Sequence, residues 1–357
     1  MSTTRPAGRH LRTIAAAVVA GAGAILALAG LLVLLDPNAP GRGDTPATPT
    51  PAAMSTPAPT GARPGTAAPS MGAPSRAPAA SAAAASPAAT PSPAVLLAVG
   101  DIARCGASGD EATGALAAQL PGVIATLGDT AYSRGTAAEL RDCFGASWGQ
   151  VRDRIRWAVS GNHDDLTDAG APLRAYMGEA VARDGLTYFS DTLGSWHVIV
   201  LDSNCGVVAG GCGAGSPQAR WLAADLASSP TACTVALYHH PRFSSGYHHG
   251  SSSMSALWSL LADGGVDLAL NGHEHDYERF APQDANGKAD PATGVTELVV
   301  GTGGGALRGF GKAVPNSVVR RSTVYGLVEV TLSDGGWTAR FLGPDGAVID
   351  EASGTCH

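Results

Sequence analysis

The chain has 357 residues, and 14 of its 24 prolines fall between Pro37 and Pro93, in a stretch built mainly from Ala, Thr, Ser and Gly that cannot bury enough apolar surface to fold. Ala94 to His357, 264 residues, is left as one globular unit; taking the 6 basic and 2 acidic side chains of residues 1–93 from totals of 23 and 30 leaves 17 and 28, a net −11 that argues against nucleic acid as a partner. Six cysteines and 5% aromatics exclude a disulfide-dense miniprotein, and a unit of this size can build a core without staples.

In chain order, Arg5, Arg9 and Arg12 precede Ile14 to Leu35, 22 residues without a charge, about 33 Å as a helix and so long enough to span a bilayer. The positive-inside rule then places residues 1–13 in the cytoplasm, 14–35 as a single-pass transmembrane signal anchor, and everything after Asp36 outside. No Ala-x-Ala-like site sits at Leu34 to Asn38, which favours an uncleaved anchor over a cleaved signal peptide and a secreted product. Residues 36–93 read as a disordered, extended linker, and 94–357 as the folded domain.

From Ala94 short apolar runs each end in Gly, Asp, Asn or His. Ala94–Val99 leads into Gly100-Asp101, Val123–Leu127 into Gly128-Asp129, and Ile155–Val159 into Gly161-Asn162-His163-Asp164. Thr234–Tyr238 leads into His239-His240-Pro241, and Val266–Leu270 into Gly272-His273-Glu274-His275. These are expected to be buried strands that deliver polar groups to one edge. Helices are expected at Glu111–Leu120, Pro217–Ala227 and Ser252–Ala262, the second capped by Ser216 with Pro217 in its first turn. Hairpins are expected at Thr187–Leu201 and Val324–Ile349, where Asp334-Gly335 and Asp345-Gly346 mark the turns. Strands alternating with helices, plus hairpins, imply a mixed layered α/β (α+β) fold.

Singly, each strand-end group is an ordinary turn residue. Together they offer carboxylate, amide, phenol and imidazole donors, the set needed when two metal ions about 3.5–4 Å apart share a bridging carboxylate. Gly beside the ligands permits close backbone approach. His273 and His275, two apart, would face oppositely in an extended segment and serve different ions, or wrap one pair if the strand bends.

The five blocks, in this order, resemble the metallophosphoesterase (calcineurin-like phosphoesterase) superfamily, and specifically its purple acid phosphatase-like branch. In the wider superfamily the first block is Asp-x-His, whereas Ala103 stands here in place of the His, and the Gly-Asp-x-x-Tyr spacing of Gly128 to Tyr132 is the branch's replacement for it. The resemblance implies a four-layer α-β-β-α sandwich of two mixed β-sheets flanked by helices, with the metals at the strand C-terminal ends. It assigns Asp101, Asp129, Tyr132 and His275 to one metal, and Asp129, Asn162, His239 and His273 to the other. Ionising a phenol favours a trivalent ion at Tyr132, and the resemblance names Fe(III), with a divalent Zn, Mn or Fe ion at the second position.

The implied reaction is hydrolysis of a small phosphoester, with hydroxide held between the ions attacking phosphorus. His163 is the expected proton donor to the leaving alkoxide and Asp164 its orienting carboxylate. Asn162 and one of His248 and His249 are expected to contact the substrate phosphate. Arg242 and Arg279 are read as surface or ion-pair residues, and His197 and Asp202 as structural. The Gly301–Gly305 run lacks the Lys-Ser/Thr of a P-loop and is expected to make a flexible wall near the metals. The six cysteines allow 15 full pairings; Cys205–Cys212, Cys105–Cys143 and Cys233–Cys356 are the expected ones. The leading reading is thus an extracytoplasmic, metal-dependent phosphomonoesterase. A phosphodiesterase or nucleotidase would use the same site, and the reading from other classes is a noncatalytic surface phosphate-binding module or a membrane-anchored structural protein.

Overall fold

The structure, a computed structural model, describes residues 93–357. The expected cytoplasmic segment 1–13, the anchor 14–35 and all but the last residue of the linker 36–93 lie outside the described residues. Among the described residues, no helix is long and apolar enough to cross a membrane.

Apolar residues at period two build two large sheets, because successive side chains on a strand face opposite sides; a third, of two short strands, pairs Ala103–Arg104 with Ala131–Tyr132. One is six-stranded, in the order Val348–Thr355, Gly336–Leu342, Leu327–Ser333, Ala94–Val99, Val123–Leu127, Ile155–Val159. The other is seven-stranded, in the order Ser317–Arg321, Tyr277–Phe280, Thr296–Val300, Leu268–Asn271, Cys233–Leu237, Trp196–Val200, Phe189–Leu193. Ala94–Val99 runs parallel to Val123–Leu127 and antiparallel to Leu327–Ser333, so the first sheet is mixed. The second is mixed as well, with Cys233–Leu237 and Leu268–Asn271 parallel and Tyr277–Phe280 antiparallel to Thr296–Val300.

The alternation sorts the core into layers. Val198, Val200, Val235, Leu237, Leu268 and Leu270 turn inward and join Leu96, Ala98 and Leu127 between the sheets. Ile199, Leu201, Ala236, Tyr238 and Ala269, one residue out of phase, face helices Pro217–Ser228 and Ser255–Asp263 on the outer side. Leu116 and Ala117 of helix Gly109–Gln119 belong to the larger core cluster, with the first sheet. The four-layer sandwich expected from the sequence is therefore present. Ser216 caps its helix by accepting from the Ala219 amide, with Pro217 in the first turn as expected. Helix Ser255–Asp263 buries Leu257, Trp258 and Leu261 on one stripe; Trp258→Ala would cost about 3–5 kcal/mol, the usual figure for emptying such a site.

All three expected disulfides form: Cys105–Cys143, Cys205–Cys212 and Cys233–Cys356. The edges of the two sheets are also clasped by charge. Asp191, on Phe189–Leu193, accepts from Arg156 of Ile155–Val159 and from Arg183.

Candidate metal centre

Parallel strands end on one side of the sandwich, and that is where the strand-end residues collect. Asp101, Asp129 and Asn162 follow three neighbouring strands of the first sheet, while His239 and His273 follow two neighbours of the second. Asp101 (φ 59°), Asp129 (φ 50°) and His273 (φ 72°) all adopt the left-handed region, a cost of about 1–3 kcal/mol per residue that the surrounding structure must impose. The chain therefore bends as it leaves each strand and turns these side chains into the gap. Glycine makes room for it: a Cβ on Gly128 (φ +87°) would lie 2.4 Å from His239 Nδ1, and one on Gly161 would lie 2.2 Å from the Asp129 amide nitrogen.

Two groups of donors share Asp129. In the first, the Tyr132 hydroxyl lies 2.7 Å from Asp101 Oδ1, 3.1 Å from Asp129 Oδ2 and 3.0 Å from His275 Nε2. In the second, Asn162 Oδ1 lies 3.1 Å from His239 Nε2 and 3.0 Å from His273 Nδ1, and Asp129 Oδ1 is 3.5 Å from His239 Nε2. His273 and His275 thus face different groups, and the bend after Asn271 lets them do so. All seven side chains expected as metal ligands are brought together.

Cations fit this arrangement. His239 Nδ1 donates to the Leu127 carbonyl and His275 Nδ1 to the Ala306 carbonyl, each at 2.8 Å, which leaves both Nε2 lone pairs facing other acceptors. One phenolic proton cannot serve two carboxylates and an imidazole. The electrostatics of the protein alone show the same frustration. Burial, then the Asp101 and Asp129 carboxylates, push the Tyr132 phenol well above 10. Burial opposes charge on His239, but Asp129 and then Asp101 outweigh it and hold the imidazole up at about 9. Burial raises Asp101, whereas in Asp129 burial is overcome by His239 and His163 and the carboxyl is held below its usual range. Positive charge placed between the two groups would relieve every one of these contacts.

His240 plays a different part from His239. Ser203 Oγ accepts from the His239 and His240 amides at 3.2 and 2.9 Å, so its proton goes to His240 Nδ1 at 2.9 Å and the ring keeps its own hydrogen on Nε2. Burial and the neighbouring His239 bring its pKa down to about 3, so it stays a neutral donor.

His163 lies at the rim. Its Nδ1 donates to the Ser133 carbonyl at 2.6 Å, and its Nε2 is 4.0 Å from Asp129 Oδ2. Asp164 does not orient this ring as expected. Its carboxylate is fully buried and accepts from the Thr130 amide at 3.0 Å and the Gly161 amide at 2.9 Å, locking the two strand-end loops together. Ser133 takes the orienting role, through a backbone carbonyl that sequence reasoning has no means to single out.

Of the two loop histidines, the structure brings in His248. Its ring centroid is 4.7 Å from that of His273, whereas no hydrogen bond joins the His249 side chain to the group. Two residues missed by the sequence reading hold His248. Arg308 Nη1 lies 2.5 Å from its Nε2, and Glu274, fully buried, accepts from its amide at 3.1 Å. No ion pair to a carboxylate engages Arg308 among the described residues. Glu274 and Asp276 both sit behind the centre; burial, then Glu274 and Glu278, push the Asp276 carboxyl up to about 9. Their place inside the His-Glu-His-Asp run was the available signal.

Arg279 pairs with Asp350 at 2.7 Å and Arg242 stacks over Phe243 at 4.5 Å, as their structural reading expected. His197 pairs with Asp225 at 2.9 Å, and Asp202 accepts from Thr187. The Gly301–Gly305 run does form a wall beside the centre, but not a loose one. Gly303 and Gly305 donate to the Gly100 and Asp101 carbonyls, and the run is buried.

Known proteins match this chain in both sequence and shape. The family model described as Calcineurin-like phosphoesterase matches residues 84–277. Purple acid phosphatase 22 of Arabidopsis thaliana is 32% identical over 198 residues, covering 50% of this chain and 43% of that protein. The chain therefore spans less than half the length of that curated relative. Among solved structures, purple acid phosphatase PPD1 from yellow lupin superposes with a TM-score of 0.60 at 18% identity, over 73% of this chain and 53% of its own. GAP50, the anchor in the inner membrane complex of Plasmodium, gives 0.56 at 16% identity, over 75% of this chain and 90% of its own. At these identities the structural matches speak for the fold.

Proposed function

Because this chain belongs to the calcineurin-like phosphoesterase family, with its likeness running to the purple acid phosphatase-like branch, we propose that it is a metal-dependent phosphomonoesterase acting outside the cytoplasm. The observation that carries the reading is the shared carboxylate of Asp129, with Oδ2 in the Tyr132 group and Oδ1 in the His239 group. Asp101, Asp129, Tyr132 and His275 would hold one ion, and Asp129, Asn162, His239 and His273 the other. Two ions there would supply Lewis acidity and lower the pKa of a bound water.

The chain's own residues do the rest. Leu127 and Ala306 carbonyls fix the His239 and His275 tautomers for ligation. Asp164 holds the loops of Asp129 and Asn162 at a set separation. His163, its Nδ1–H spent on Ser133, gives the proton on Nε2 to the leaving alkoxide. His248 and Arg308 take phosphoryl oxygens on the flank beyond His273. A tyrosine ligand favours Fe(III) in the Tyr132 position and a divalent ion in the other. The three disulfides support an oxidising, extracytoplasmic address, with residues 14–35 as the membrane anchor and 36–93 as a stalk.

The test is an absorption spectrum and metal analysis of the full chain, loaded with iron and a divalent ion, alongside para-nitrophenyl phosphate hydrolysis, before and after Tyr132→Phe. Two ions per chain, activity, and a visible tyrosinate-to-iron band lost in the variant are expected. No stoichiometric metal after loading would overturn the reading.

A further inference from the structure

The candidate centre opens on its Asn162 and His240 side into a cleft of about 320 Å³. This is near the lower end of small-molecule pockets, which run about 300–1,000 Å³. Its walls carry the chemistry of hydroxyl recognition: Asn162, Asp165, Ser203, Asn204, Ser251 and Ser253. The loop closed by Cys205–Cys212 supplies the remaining wall through Cys205, Gly206 and Val207. No lysine or arginine lines it.

Two of these groups have hydrogen-bonding capacity to spare. Asp165 Oδ1 accepts from Ser160 Oγ at 2.9 Å, and no other hydrogen bond engages the carboxylate among the described residues, so it has acceptor capacity left for a donor. His240 is fixed by Ser203 as the Nε2–H tautomer, a neutral donor. The opposite flank is built otherwise, with the guanidinium of Arg308 against His248. Charge thus divides the site: a cation on the side of His248, and a carboxylate among hydroxyls and amides on the side of Asn162.

The geometry points to this cleft as the seat of the substrate's alcohol, selecting a single uncharged polyol or sugar ring that carries one phosphate over a polyphosphorylated alcohol. The inference rests on the phosphoesterase reading above and deepens it by naming the substrate class. The phosphoryl group lies toward Arg308, and the alcohol's hydroxyls donate to the Asp165 carboxylate, whose Oδ1 carries only the Ser160 bond, and accept from His240 Nε2. A second phosphate in the cleft would find no lysine or arginine on its walls, since Arg174, the cation near Asp165, lines the neighbouring hollow instead. The volume accommodates one ring and not an extended chain.

The experiment uses the full, metal-loaded chain and compares kcat/KM for glucose 6-phosphate, inositol hexakisphosphate and para-nitrophenyl phosphate, with inorganic phosphate as a competitive inhibitor. The parent is expected to favour glucose 6-phosphate over inositol hexakisphosphate by at least tenfold. Asp165→Asn should cut kcat/KM for glucose 6-phosphate about tenfold, the size of one buried hydrogen bond to a charged group. Ser253→Leu, at an exposed position of the 3-10 turn Ser252–Met254, should do the same by filling the cleft. In both variants the inhibition constant for inorganic phosphate, which needs no alcohol site, should stay within twofold. A parent that prefers inositol hexakisphosphate, or variants that leave glucose 6-phosphate turnover unchanged, overturns the inference while para-nitrophenyl phosphate hydrolysis keeps the phosphoesterase reading. Failure of the loaded parent to hydrolyse any of the three esters overturns both.

Discussion

The Ser133 carbonyl oxygen sits 2.6 Å from His163 Nδ1 and holds the imidazole with Nε2 facing the Asp129 carboxylate at 4.0 Å. A ring fixed through one nitrogen can present only the other to substrate. If Nε2 supplies the proton that the leaving alkoxide needs, His163→Gln should lower kcat by about 10²–10⁴ for an alkyl phosphate, the usual range for a general acid. The loss should be much smaller for para-nitrophenyl phosphate, whose phenolate leaves without help. Equal losses on the two esters would remove His163 from proton transfer and leave it a phosphate contact.

Among the described residues Arg308 has no carboxylate partner, and its arrangement with His248 predicts a binding defect rather than a chemical one. Its backbone amide donates to the His275 carbonyl at 3.0 Å, so the residue's position is set by the centre while its guanidinium reaches the far side of His248. Arg308→Ala should raise KM and the inhibition constant for inorganic phosphate about tenfold, the equivalent of one charge-assisted hydrogen bond, with kcat reduced less than threefold. Arg308→Lys should recover part of this, because a point charge replaces the fork. An unchanged phosphate inhibition constant would place Arg308 outside the substrate's reach.

The contrast between Asp129 and Ser133 shows what the sequence could and could not reveal. Asp129, Asn162, His239 and His273 each follow an apolar run that becomes a buried strand, so type, order and spacing announce both the sheet edge and the donors on it. The runs Ala94–Val99, Val123–Leu127 and Ile155–Val159 form strands with the expected bounds, because their apolar residues have only a core to enter. Strand order is a different matter. Ala94–Val99 pairs with Leu327–Ser333 far along the chain, and nothing local encodes that partner. Ser133 acts through a carbonyl that every residue possesses, and Arg308 lies in a Gly-rich loop with no motif, so neither has a pattern to read. Asp164 was legible as a residue of the block but not in its role, since an Asp after a His can orient the ring or clamp amides, and only the fold decides.

Asp191 predicts how the sandwich fails in acid. Burial alone would raise its carboxyl, but hydrogen bonds from Arg156, the Thr192 amide and Arg183 outweigh burial and hold it at about 2, below the usual value near 4. A carboxyl held low binds its proton less readily in the folded chain than in the unfolded one. Its contribution is therefore complete above about pH 4 and is lost as pH falls toward 2. Asp191→Asn should lower stability at pH 6, by on the order of 1 kcal/mol once solvent screening of this part-exposed cluster is counted. It should also shrink the drop in urea midpoint between pH 4 and pH 2 relative to the parent. Parallel parent and variant curves across that window would show that the clasp contributes nothing.

Cys233 and Cys356 join the start of Cys233–Leu237 to the end of the edge strand Val348–Thr355, and so tie the two sheets together at the end of the sandwich away from the candidate centre. His239 lies six residues further along, about 20 Å at the rise of a strand. Closing a loop across a sequence separation of 123 residues constrains the unfolded chain more than either shorter loop does, and removal of such a bridge typically costs about 2–5 kcal/mol. A Cys233→Ser, Cys356→Ser double variant leaves no free thiol and should unfold at a lower temperature by an amount consistent with that loss. Because Val348–Thr355 pairs on one side only, its amides should exchange with solvent faster than those of Leu327–Ser333, which is paired on both sides. Turnover of para-nitrophenyl phosphate at 25 °C should remain within twofold of the parent, since the strand end that carries His239 is held by its neighbours and not by the bridge. A variant with parental melting temperature would show that the disulfide adds nothing to the sheet pairing. One that keeps stability but loses turnover would mean that the two ends of the strand are coupled.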